Sequence, residues 1–140
     1  MQSTMLAPVV VLAAWTHVMW GWMYATRIPA VRRLRMPLDP QVPRGEQMAK
    51  LPPRVRWKAD NYNHLMEQPT VFFAVAISLF LLGASSGWPL ALAWTYVALR
   101  VVHSLVQALW NRIEVRFSLF ALSGLALIGL TVRALQLILR

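Results

Sequence analysis

DNYNHLMEQPTVFF, residues 60–73, joins a polar segment to an apolar one within a single short stretch. Asp60, Asn63, His64 and Glu67 come immediately before a long apolar run that only a short polar turn interrupts. In a helix that begins near Asp60, residues three and four apart are neighbours, so these four side chains form one polar stripe. The stretch therefore predicts a membrane-length helix with a polar beginning and an apolar remainder.

The composition of the chain is that of a membrane protein. Of its 140 residues, 58% are hydrophobic and 14% charged, whereas soluble domains average about 25% charged residues. A helix needs about 20 residues to cross roughly 30 Å of hydrocarbon, so we expect at most about four spans and no separate soluble domain. Cysteine is absent, which excludes disulfides, thiolate metal ligands and a cysteine nucleophile.

Four apolar segments predict an all-α, integral membrane four-helix bundle in a single domain. The connection between the first two, residues 27–58, carries six of the nine prolines and nine of the fourteen basic residues. Prolines at this density disfavour one continuous helix, so we expect an extended loop on the membrane surface. The four spans are expected at about residues 6–26, 60–83, 89–110 and 115–138.

The distribution of positive charge predicts the orientation. Cytoplasmic loops carry an excess of Lys and Arg, which places residues 27–58 in the cytoplasm and both termini on the opposite side. Arg112 and Arg116 agree with this orientation, while Arg133 and Arg140 oppose it. No organelle address is present, so a bacterial inner membrane is the expected location. The net charge of +9 lies beside the spans, where anionic lipid headgroups account for it, and no nucleic-acid partner is expected.

A second polar stripe lies in the third span. Arg100, His103, Gln107 and Asn111 recur there at intervals of three or four residues. Antiparallel packing brings this stripe to the same depth as the one beginning at Asp60. Two such stripes predict a cavity that is lined by cations and carboxylates and opens toward the cytoplasmic leaflet.

The same polar groups also admit a purely structural interpretation. Ionisable groups within a membrane are normally paired, and such pairs hold helices together. In this interpretation Glu67 pairs with Arg100, Asp60 pairs with Arg116, and His103 bonds to a backbone carbonyl. The sequence is compatible with both the polar cavity and the paired structural network.

Two further features of the second span bear on its chemistry. His64 and Glu67 have the spacing seen in carboxylate metal centres of helix bundles, but the third and fourth spans add only His103 and Glu114. We therefore expect no metal site. Pro69 cannot donate to the carbonyl four residues earlier, so it should bend the helix just after Glu67.

Motif order and spacing resemble a known family of four-span membrane proteins. N-H-L-M-E-Q-P, R-V-V-H-S-L-V-Q and R-I-E-V-R-F follow the long basic loop in the second, third and fourth segments. This arrangement resembles the MAPEG family, the membrane-associated proteins in eicosanoid and glutathione metabolism, which includes microsomal glutathione transferases, leukotriene C4 synthase and microsomal prostaglandin E synthase. The resemblance covers nearly the whole chain and is most specific at about residues 54–72 and 96–120. It implies a homotrimer that binds glutathione as co-substrate between subunits, near the cytoplasmic face.

The resemblance also implies roles for individual residues. Arg116 falls at the arginine that activates the glutathione thiol in the family's enzymes, a role that fits the stabilisation of a thiolate by a nearby cation. Glu67 would contact the amino end of glutathione, and His64 stands where the family usually has Asn. The remaining residues expected to bind glutathione are Arg100, His103, Gln107, Asn63 and Lys58.

Two positions depart from the family pattern. Asp60 stands where the enzymes commonly have an arginine, and Phe120 where they have an aromatic hydroxyl. An acid at position 60 repels the carboxylates of glutathione, although Lys58 lies one turn or less away. The expected function is a glutathione-dependent transferase or peroxidase acting on lipophilic small molecules that enter from the membrane lipids. The alternative is a noncatalytic lipid-binding or scaffold protein with the same fold.

Overall fold

The computed structural model describes residues 4–140, and every regular element within that range is a helix. Four helical stretches are long and apolar enough to cross a membrane: Leu6–Arg33, Pro53–Leu81, Trp88–Leu109 and Ile113–Ile138. The all-α, four-span architecture predicted from the sequence is therefore confirmed.

Helix α1, Leu6–Arg33, continues past residue 26, where the sequence predicted the end of the first span. Pro29 lies inside it, and both Pro29 and Ala25 are exposed, so the hydrogen bond that proline removes lies on an outer face. The helix ends where Arg35 adopts a positive φ of 46°. This extension makes Arg27 a helical residue.

The connection after α1 is folded back on itself and not extended. It contains helix α2, Arg44–Met48, whose buried Gln47 joins it to the preceding turn. The Gln47 side chain accepts from the backbone N–H of Asp39 at 2.9 Å and donates to the carbonyls of Asp39 and Val42 at 2.7 Å each. Since these bonds engage both the oxygen and the nitrogen of the buried amide, they hold the segment together.

The second span consists of two helices, α3, Pro53–Leu65, and α4, Gln68–Leu81. Helix α3 begins seven residues before the predicted start at residue 60, because Pro53 occupies its first turn, where a missing N–H is tolerated. The bend expected near Pro69 is a break at Met66 and Glu67. Pro69 has no N–H to donate to the Leu65 carbonyl, so the two helices cannot merge there.

Helices α5, Trp88–Leu109, and α6, Ile113–Ile138, complete the bundle. Gly83 and Gly87, both with φ near +70°, make the tight turn before α5. A β-carbon at Gly129 would lie 3.0 Å from Leu92 Cδ1, so α5 and α6 approach closely at this point. The short connection between α5 and α6 makes these two helices antiparallel neighbours, whereas α4 packs mainly against α6 and α1.

A smaller apolar cluster contains Met19, Leu65 and Ala108, and the larger one, the core, is built by α1, α4, α5 and α6. Phe72 and Tyr96 stack there with their ring centroids 4.4 Å apart. The Tyr96 hydroxyl donates to Gln68 at 3.4 Å, at the border between this core and a polar layer. The other buried apolar residues of the core are Met5, Leu12, Ala76, Leu79, Ala93, Val97, Ala126, Leu127, Leu130 and Ala134.

Candidate functional site

The polar layer is built on one face of α5. Arg100, His103 and Gln107 are 0%, 1% and 3% exposed, and Ser104 between them is fully buried. Their spacing of three and four residues keeps them on the same side of the helix, next to α3. A buried guanidinium and imidazole in a membrane protein mark a functional site or a paired network, and their partners distinguish the two.

Arg100 connects α5 to the end of α3. Its Nη2 donates to the backbone carbonyl of His64 at 3.1 Å. Helix α3 ends one residue later, so this carbonyl belongs to the last turn, where a cation is favourable. Its Nε and Nη1 are buried and have no hydrogen-bond partner among residues 4–140. The ion pair predicted between Arg100 and Glu67 is wrong, because the carbonyl takes that place.

Glu67 pairs instead with His64, three residues earlier. The His64 Nδ1 lies 2.9 Å from Glu67 Oε2, the one contact within 4 Å between a carboxylate and a basic side chain in the described part of the chain. The Glu67 side chain is 66% exposed, whereas that of His64 is 21% exposed. Glu67 therefore presents a carboxylate to the outside of the bundle, while His64 extends toward the polar layer.

Three rings meet at the centre of this layer. The His64 ring lies 5.0 Å from that of His103 and 5.3 Å from that of Phe120, centroid to centroid. The Arg100 guanidinium lies 5.7 Å from the Phe120 centroid. The backbone carbonyl predicted as a partner of His103 is not found, since His103 Nδ1 is buried without a hydrogen bond within residues 4–140. Phe120 thus covers this layer from α6.

Asn61 is a member of the layer that the sequence did not single out. It is fully buried, and its amide Nδ2 donates to the Ser104 hydroxyl. The predicted stripe began at Asp60, but the packed face of α3 carries Lys58, Asn61 and Leu65. These residues are three and four positions apart, and this helical spacing was the sequence signal that could have identified the packed face. Asn61 Oδ1 has no partner in the described chain.

Arg116 lies in the first turns of α6, beside the same end of the bundle. Its Nη1 donates to Asn111 Oδ1 at 2.6 Å, so the predicted pairing with Asp60 is wrong. Asn111 has a φ of +55° in the turn between α5 and α6, which brings its side chain to Arg116. Arg116 Nε is buried without a partner in residues 4–140.

Lys58 and Asn63 lie apart from this group. The Lys58 Nζ donates to the Arg54 carbonyl at 2.6 Å and lies 5.4 Å from the Trp22 ring centroid. Asn63 is exposed and, with Asp60, lines a cleft next to α1. The stripe predicted from residues 60–73 is therefore divided between two sides of α3.

The predicted binding residues thus fall into two sets. One set surrounds the polar layer, and the other faces α1. Within residues 4–140, no three His, Asp or Glu side chains converge in a way that could hold a metal ion. The residues that surround the layer are His64, Glu67, Arg100, His103, Gln107 and Arg116.

Four spans enclosing a buried cationic and imidazole layer near one end define an integral membrane protein with a polar interhelical site. The sequence matches the model of the MAPEG family over residues 5–136. The chain belongs to the MAPEG family, which is associated with glutathione metabolism in general. A search of curated proteins and a search of solved structures each gave no match.

Proposed function

We propose that this protein is a glutathione-dependent transferase or peroxidase that acts on lipophilic electrophiles, with Arg116 stabilising the glutathione thiolate. One observation carries the proposal. Arg100 is completely buried, and two of its donor nitrogens, Nε and Nη1, have no hydrogen-bond partner in residues 4–140. Buried charged donors are normally satisfied, so a ligand with acceptor groups is the natural complement of this site.

Glutathione has the groups that this arrangement would bind. It carries two carboxylates, an ammonium group, two peptide bonds and a thiol. The exposed Glu67 carboxylate would accept from the ammonium, and Arg100 and His103 would donate to acceptor groups of the peptide. Gln107, whose Oε1 is buried without a partner in the described residues, would accept from a peptide N–H.

Arg116 would supply the chemistry. A cation beside the thiol lowers the thiol pKa, and a depression of two units raises the thiolate fraction near neutral pH by up to roughly a hundredfold. In the transferase reaction the sulfur forms a bond to an electrophilic carbon as the leaving group departs with its electron pair. In the peroxidase reaction the sulfur attacks a hydroperoxide oxygen and releases an alcohol. A second glutathione then converts the sulfenic acid to a disulfide and water.

A lipophilic electrophile would approach Arg116 from the bilayer. Ile113 and Phe117, in the same turns of α6, are 73% and 70% exposed. Such apolar side chains place hydrocarbon beside the guanidinium, so an apolar substrate and a polar thiol would meet there. This arrangement supports substrates that partition into the membrane.

The assembly and orientation are part of the proposal. We place residues 27–58 in the cytoplasm and both termini on the opposite side, in a bacterial inner membrane, because nine of the fourteen basic residues lie in that stretch. We also propose a homotrimer. Lys58 and Asn63 would take part in binding where a neighbouring subunit brings glutathione to their side of α3.

Isothermal titration of the purified, detergent-solubilised protein with glutathione tests the binding step. We expect saturable binding that Glu67→Ala and Arg116→Ala each weaken. Arg112→Ala is the matched control, because Arg112 is exposed and lies 4.8 Å from the Trp110 ring, outside the polar layer. The absence of binding by folded wild-type protein would overturn the proposal, and so would equal weakening by Arg112→Ala.

A noncatalytic lipid-binding or scaffold function is the second candidate. The observation that favours it is Phe120, which covers the polar layer with a ring that has no hydroxyl. Lipid copurifying at the polar layer, with no thiol-dependent turnover of any electrophile, would support this function over catalysis.

A further inference from the structure

Arg116 cannot complete the activation of a thiol on its own. A thiolate forms when the S–H bond breaks and the proton goes to a base, while the electron pair stays on sulfur. An arginine side chain is always protonated in proteins, so it stabilises the thiolate but takes up no proton. The site therefore needs a proton acceptor within reach of the sulfur.

Two imidazoles, those of His64 and His103, lie at the polar layer, and their surroundings differ. His103 is 1% exposed, and its Nδ1 is buried without a hydrogen-bond partner in the described residues. The His64 side chain is 21% exposed, so a bound ligand can touch its ring. Of the two histidines, His64 is therefore the one that a substrate reaches directly.

The contact with Glu67 determines which ring nitrogen of His64 can accept a proton. The His64 Nδ1 lies 2.9 Å from Glu67 Oε2. An ionised carboxylate only accepts hydrogen bonds, so Nδ1 carries the hydrogen and donates it. The other ring nitrogen, Nε2, then keeps its lone pair and is the proton acceptor of the neutral ring. The second carboxylate oxygen, Glu67 Oε1, remains available to the ammonium group of glutathione.

The His64 ring lies close to the part of α6 that carries Arg116. Its centroid is 5.3 Å from that of Phe120. Phe120 follows Arg116 by four residues in α6, so the two side chains are neighbours on one face of the helix. A thiol held beside Arg116 is thus within about one helical turn of the His64 ring. The other ionisable groups next to His64 are Arg100 and His103 of α5.

We propose that His64 is a catalytic residue, the general base that takes the thiol proton of glutathione on Nε2 while Nδ1 stays bonded to Glu67. This role rests on the proposed function, because it needs glutathione at the polar layer. The thiol S–H bond breaks, the proton goes to Nε2, and the sulfur electron pair forms the bond to the electrophilic carbon or to the hydroperoxide oxygen. The imidazolium then gives its proton to the departing group or to the released alkoxide, so the ring returns to its neutral form.

Stopped-flow ultraviolet absorbance of the thiolate, after full-length protein in detergent is mixed with saturating glutathione, tests this role. The final amplitude reports the equilibrium that Arg116 shifts, and the rate reports the proton transfer. His64→Ala should keep most of the wild-type amplitude but form the thiolate about 100-fold more slowly, which is within the usual contribution of a general base. Added imidazole should restore the rate, because it supplies the missing ring.

Two further variants complete the test. His64→Gln keeps a polar side chain beside Glu67 without a basic nitrogen, and it should be as slow as His64→Ala. His17→Ala is the matched control, because His17 is an exposed histidine of α1 whose Nδ1 lies 2.9 Å from the Ala13 carbonyl. It should change neither the rate nor the amplitude, with or without imidazole.

The rate and the amplitude distinguish the two ways of failing. A wild-type rate in His64→Ala or His64→Gln would overturn the base assignment, and so would a slow His64→Ala rate that imidazole leaves unchanged. Both of these results leave the proposed function intact if Arg116→Ala abolishes the amplitude. A wild-type protein that forms no thiolate would overturn the proposed function and the role of His64 with it.

Discussion

Arg100 donates to the backbone carbonyl of His64 at 3.1 Å and thereby connects α5 to the last turn of α3. The bond exists because α3 and α4 are separate helices, so the His64 carbonyl lies at a helix end, where it accepts from the Glu67 N–H at 3.4 Å and from Arg100. Pro69 maintains that separation. Pro69 in the second span thus leaves the His64 carbonyl accessible to the buried guanidinium of Arg100 in the third span.

The burial of Arg100 predicts that function and stability oppose each other there. Arg100→Met keeps most of the side-chain volume and removes a buried charge that residues 4–140 satisfy only in part. Such replacements are often neutral or stabilising by ~1–4 kcal/mol. We expect an unchanged or higher thermal unfolding midpoint in detergent, together with loss of glutathione binding by calorimetry. A folded Arg100→Met protein that binds glutathione as the wild type does would contradict this account.

Glu67→Gln separates a structural role for Glu67 from a binding role. The contact between His64 and Glu67 is largely exposed on the Glu67 side, and exposed pairs contribute only about 0–1 kcal/mol to stability. We therefore expect a small change in unfolding free energy but a loss of glutathione affinity by tenfold or so, as the ammonium loses its charged acceptor. Glu114→Gln, at an exposed acid in the first turn of α6, serves as the control and should change neither quantity.

Asn61 and Ser104 form a buried polar pair that a double-mutant cycle can measure. Asn61→Ala and Ser104→Ala should each destabilise the protein, because each removes one partner of a buried hydrogen bond. The double variant should lose less than the sum of the single losses, with a coupling of about 0.5–3 kcal/mol. Additive losses in chemical denaturation would show that the bond contributes nothing of its own.

Phe120→Tyr restores the hydroxyl that the family's enzymes commonly have. Phe120 is partly exposed and contacts the His64 ring, so the added hydroxyl has polar groups near it. We expect a folded protein with higher glutathione-dependent turnover, and Phe120→Leu as the control should show no gain. A tyrosine variant with no more activity than the leucine variant would mean that the missing hydroxyl does not limit catalysis.

The number of spans and the polar stripe of α5 were predictable because they follow from apolar length and from helical periodicity. The beginning of α3 at Pro53 was harder to predict, because a proline that interrupts a helix can also begin one, and sequence alone does not distinguish the two. The partners of Arg100 and Arg116 were also missed. Pairing opposite charges was reasonable, but Arg100 donates to the His64 carbonyl at the end of α3, and Arg116 donates to Asn111, whose φ is positive. Both partners depend on local backbone geometry that charge patterns do not encode.

The central claim is that Arg116 stabilises the thiolate of bound glutathione, and the ultraviolet absorbance of the thiolate measures this directly. Titrating glutathione-saturated protein with base should give a thiol pKa at least about one unit below that of free glutathione. Arg116→Ala should return the pKa to its ordinary value in a protein that still binds glutathione, while Arg112→Ala should leave it lowered. A bound thiol that titrates in the wild type as it does in water would contradict the account.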